Sequence, residues 1–83
     1  MNPPRNFSTV LAAVIAAIPE DEPNFRAALV SVQAKATRHA PELHWQMLGP
    51  DVQYIIGIHI APLAPKEREG WRGRVIGVWT GAT

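Results

Sequence analysis

The sequence predicts an α+β fold: two N-terminal helices packed on one face of a three-stranded antiparallel meander, in the order ααβββ. Three observations point there. Val52, Tyr54, Ile56, Ile58 and Ile60 recur at period two, and a strand puts all five on one face. Phe7, Val10, Leu11, Val14, Ile15 and Ile18 recur at i, i+3, i+4, i+7, i+8 and i+11, the stripe of an amphipathic helix. Gly49-Pro50-Asp51 lies between apolar runs and is turn chemistry, tight enough for a hairpin.

Residues 1–5, with Pro3-Pro4, form an extended lead-in. Residues 6–40 are the helical pair. Asn6 is the expected N-cap of the first helix and Pro19 its stop. The second helix is expected over about 23–39, with Phe25, Ala28, Leu29, Val32 and Ala36 inward. The preceding acids, Glu20-Asp21-Glu22, suit its positive end, and Lys35, Arg38 and His39 suit its negative end. Pro41 closes it.

Residues 42–80 are assigned to the sheet. Residues 42–47 alternate polar and apolar, with Leu43, Trp45 and Met47 inward; a short helix ending at Gly49 is the competing reading. The run 52–60 is the central strand. A Pro-containing loop follows over 61–70, and the last strand covers about 71–80. Pairing Ile58 with Ile76 sets Gly57 beside Gly77 and Ile55 beside Trp79, leaving a shallow groove on the uncovered face. The core is expected from Phe7, Leu11, Val14, Ile15, Ile18, Phe25, Leu29, Val32, Trp45, Tyr54, Ile56, Ile58, Ile76 and Val78.

Composition narrows the function. Eighty-three residues make one domain, 1–83. A net charge of +1 gives no global field to recruit nucleic acid or anionic lipid. There is no cysteine, hence no disulfide and no thiolate metal site, which fits a cytoplasmic setting. Arg5 followed by the apolar run 7–18 has the outline of a signal peptide. Cleavage there would remove the best helix, so the run is expected to stay with the fold. It is too short for a span, which takes about 20 apolar residues, so no membrane role is expected.

No cofactor, glycine-loop or serine-elbow motif is present, and no enzyme is expected. His39, His44 and His59 lack ligand spacing for a metal. His44 and His59 have outward parity on adjacent strands, and with Arg72 or Arg74 they form only a remote candidate for a metal-free hydrolase.

Two surfaces remain. Ala12, Ala13, Ala16 and Ala17 stand where charged residues would normally meet water, and no charge lies between Asn6 and Pro19. With Ile55, Gly57 and Trp79 on the open sheet face, they suggest docking of another protein or of a second copy as a homodimer. Lys66, Arg68, Arg72 and Arg74 gather near Trp71, an alternative surface for nucleic acid through phosphate contacts and stacking. The first expectation is therefore a small non-catalytic interaction module. Its size suits a regulator or inhibitor, of the accessory kind that phages and mobile elements carry.

Overall fold

The computed structural model describes residues 6–82, so the lead-in expected for residues 1–5 lies outside the described residues. The fold is helical throughout. Four α-helices follow in order: α1 (Phe7–Ala16), α2 (Pro23–Ala36), α3 (His44–Ile60) and α4 (Trp71–Ala82). Short 3-10 turns at Pro41–Leu43 and Pro65–Arg68 lead into α3 and α4. No strand occurs among the described residues. The ααβββ meander is thereby overturned: the residues assigned to three strands form two helices.

The first two helices follow the expected pattern. Asn6 caps α1, its Oδ1 accepting from the Thr9 N–H at 3.0 Å. Phe7, Val10, Leu11, Val14 and Ile18 are buried. On α2, Phe25, Leu29, Val32 and Ala36 are buried, and Ala28 is half-buried. Arg26 donates to the Ile18 carbonyl and so closes the end of the first helical segment.

The error over 42–60 has a physical origin. A period-two set contains a period-four set. Val52, Ile56 and Ile60 recur every four residues, so a helix keeps them within one stripe. With Leu48 they are all buried. Tyr54 and Ile58, expected beside them, turn outward at 68% and 53% exposure. The residues read as first strand, turn and central strand are one helix of 17 residues. Pro50 sits inside it. Proline lacks the N–H that would bond the carbonyl four residues back, that of Gln46. Both residues are exposed, so water reaches that carbonyl. Gly49, just before it, has no Cβ to meet the proline ring.

The last expected strand is α4. Val75 and Trp79, four apart, are buried, with Trp71 and Val78 half-buried beside them. Ile76, expected in the core, is likewise half-buried. Gly70, at φ +75°, turns the chain into this helix, a conformation that favours glycine.

The helices alternate in direction. Phe25 stacks on His59, and the Ala36 carbonyl meets His44, so α2 and α3 run antiparallel. Phe7 meets Trp79, and Glu22 pairs with Arg72, so α4 runs back along α1. The core lies between these pairs. It includes Val52 and Ile60, from the apolar face of the expected central strand, and Leu48, Val75 and Trp79, which the strand pattern left out of the core.

Gly57 and Gly77 lie inside helices, and a Cβ at either would meet nothing within 4 Å. Gly57→Ala and Gly77→Ala should each stabilise the fold by about 0.5–1 kcal/mol. Urea denaturation checks this. Destabilisation by either substitution would contradict the helical assignment at that position.

Candidate functional site

Two of the three histidines, His44 and His59, are engaged in packing or capping. His44 is 7% exposed. Its Nε2 lies 2.8 Å from the Ala36 carbonyl and 3.0 Å from the His39 carbonyl. Both partners are acceptors, so Nε2 carries its proton and donates to both. His44 thus satisfies carbonyls at the end of α2. Its ring also meets Phe7 edge-on at 5.7 Å. His59 stacks flat on Phe25 at 4.6 Å. The two lie at opposite ends of α3, about 22 Å apart along the axis. The structure does not bring together the pair considered for hydrolysis. Among the described residues, no group of three or more His, Asp or Glu is placed to hold a metal.

The cationic segment is partly engaged within the chain. The Arg72 guanidinium lies over the Trp71 ring, 4.6 Å from its centroid. It also donates to Glu22 Oε1 at 3.2 Å and to the Glu67 carbonyl at 3.4 Å. Trp71 is half-buried, and its centroid lies 6.0 Å from that of Phe25. One face of the indole that a base would use is therefore covered by Arg72. Arg72 and Arg74 do not share a face, because residues two apart on a helix diverge by roughly 160°. Arg74 and Lys66 are exposed. The side chain of Arg68 lies outside the described residues.

The residues proposed for protein docking separate into three places. Ala12, Ala13 and Ala16 are exposed on α1, while Ala17 is half-buried against the core. Ile55 is half-buried in a groove between α2 and α3. Gly57 and Trp79 line a cleft of about 150 Å³ between α3 and α4, with Gln53, Ile76 and Thr80. Trp79 itself is only 3% exposed. Its Nε1–H donates to Gln53 Oε1 at 2.8 Å. It is a core residue here, and the open sheet face to which it was assigned does not exist.

A different surface emerges on the outside of α3. Leu43 (38%), Met47 (45%), Tyr54 (68%) and Ile58 (53%) are its exposed large apolar side chains. Their spacing, i, i+4, i+11 and i+15, keeps them within a single stripe. Pro50, also exposed, lies on the same line. From Leu43 to Pro65 the one formal charge is Asp51. Beside the stripe runs the groove between α2 and α3, about 330 Å³, lined by Ala28, Ser31, Val32, Lys35, Asp51, Tyr54 and Ile55. Neither Lys35 nor Asp51 has an ion-pair partner among the described residues. The strand reading hid this surface, because strand parity merges residues 54 and 58 with the buried set. Scoring the same residues at helical spacing separates two apolar stripes, one of which has no cover.

No helix among the described residues is long and apolar enough to cross a membrane. Compared with protein-family models, curated proteins and solved structures, the chain matches none.

The part assigned to His44 is checked by His44→Ala. The His39 carbonyl loses the imidazole N–H and the Ala36 carbonyl keeps only the His39 N–H at 3.3 Å, at a cost of about 1–3 kcal/mol. A Tm unchanged in calorimetry would contradict the capping role.

Proposed function

We propose that this chain is a small non-catalytic protein-interaction module that docks through the outer face of α3. The observation that supports it is the uncovered stripe of Leu43, Met47, Tyr54 and Ile58. A soluble monomer rarely exposes apolar patches beyond a few hundred Å² without using them. Exposed tyrosine and methionine are also typical of binding surfaces, where large side chains anchor and adapt. The histidines support the same reading from the other side, since His44 and His59 are engaged in packing and capping. A regulator or inhibitor role in the cytoplasm belongs to this proposal, as does kinship in kind with the accessory proteins of phages and mobile elements. Nucleic-acid binding through Trp71 has less support, because Arg72 is already committed to Trp71 and Glu22.

The test uses a benzophenone amino acid placed at position 54, with position 20 as control, irradiated in lysate of cells that express the chain. Position 54 should give a discrete protein adduct and position 20 none. Combining Met47→Ser with Ile58→Ser should remove the adduct while shifting stability by no more than about 1 kcal/mol, because both side chains are substantially exposed. No adduct at position 54, with any protein including this one, would overturn the reading.

A further inference from the structure

The local sequence of α4 works against the helix that it forms. Gly70 stands at the N-cap position, its carbonyl accepting from the Arg74 N–H at 3.1 Å. It has no side chain to accept from the free N–H groups of the first turn. No acid stands in that turn. Arg72 and Arg74 place two cations there instead, against the positive end of the helix dipole. The 12 residues include Gly73, Gly77 and Gly81, and glycine is the poorest helix former after proline.

Tertiary contact therefore has to order the segment, and its anchors are few. Among the described residues, Val75 and Trp79 are its buried apolar side chains. On α3 four are buried, Leu48, Val52, Ile56 and Ile60, and on α2 Phe25, Leu29, Val32 and Ala36. The α4 helix packs chiefly on α1 and meets α3 through Trp79, which touches Trp45 and donates to Gln53. The α2–α3 pair is tied at one end by Phe25 on His59 and at the other by His44 on the Ala36 carbonyl. Neither tie uses a residue of α4.

We propose that α4 is a hinged lid, which detaches and melts as a unit at Gly70 while α2 and α3 stay folded. Gly70 already holds a φ of +75°, and without a Cβ it can absorb a large change of direction. The closed state is held by the Glu22–Arg72 pair and the Gln53–Trp79 bond, so these two contacts set how often the lid opens. Opening bares the apolar seat of Trp79: Phe7, Trp45, and the Ile56 and Ile60 side chains on the α3 wall of the cleft. Sub-global openings of this kind are drawn from the least anchored elements of a fold. The inference does not rest on the docking stripe of α3.

The test is peptide-resolved hydrogen exchange of the full chain in native buffer. Corrected for intrinsic rates, the most protected amides of α4 should exchange at least about tenfold faster than those of α3. Gly77 and Gly81 are the handles, since a Cβ at either meets nothing within 4 Å. Gly77→Ala/Gly81→Ala should slow exchange in α4 about tenfold. Glu22→Gln should speed it about threefold. Both should leave α3 unchanged. Single thiols give the second reading, because the chain has no cysteine. Val75→Cys should react with a thiol reagent at least about tenfold faster than Val52→Cys, although both positions are 0% exposed. One exchange rate shared by α3 and α4, or substitutions that shift both helices together, overturns the inference. So does a thiol at position 75 that reacts no faster than one at position 52.

Discussion

The indole of Trp79 is the contact on which the rest of this fold depends. It comes from α4, meets Phe7 of α1 at 6.5 Å and Trp45 of α3 at 5.4 Å, and donates to Gln53. Phe7 in turn meets Trp45 edge-on at 5.2 Å. Three helices are joined through one set of rings. Such pairs add about 0.5–1.5 kcal/mol beyond the area they bury. The hydrogen bond matters as much as the rings, since a buried indole N–H without an acceptor is costly. The α3 and α4 helices flank a cleft, and the Gln53–Trp79 bond joins them across it.

Polar side chains in this small domain are used largely at helix ends. Asn6 begins α1, Arg26 meets the Ile18 carbonyl, and His44 serves the end of α2. Glu22 and Arg72 tie the segment before α2 to the start of α4. A chain of this size has short helices, so a large share of its backbone lies near an end with unsatisfied groups. Residues that resemble chemistry in the sequence are spent on that need. The exposed large apolar side chains Met47, Tyr54 and Ile58 lie on the outer face of α3.

How much of this was legible depends on the helix. For α1 and α2, helical spacing, the Asn6 cap and nearby prolines all agree, and both the elements and their core faces were readable. For α3 the local signals conflict with the global outcome. β-branched residues and Gly49-Pro50 argue for a turn and a strand, yet tertiary burial of Leu48, Val52, Ile56 and Ile60 wins. For α4, alternation of glycine with larger residues imitated a strand, and it moved Val75 and Trp79 to the wrong side. The exposure of Ala12, Ala13 and Ala16 was readable, because the α1 stripe defines its own back. The α3 stripe was not, because two helical stripes of spacing four, offset by two residues, sum to one strand face.

The helix α4 contains Gly73, Gly77 and Gly81 within its 12 residues. Each costs roughly 1 kcal/mol of helix propensity relative to alanine, so the segment has little tendency to coil by itself. It is ordered by what it touches. The α2–α3 hairpin, by contrast, is built from contacts close in sequence and can form early. The last helix then closes over α1 as a clasp. Release of α4 would uncover the Trp79 cluster, so the order of this helix and the burial of that cluster stand or fall together.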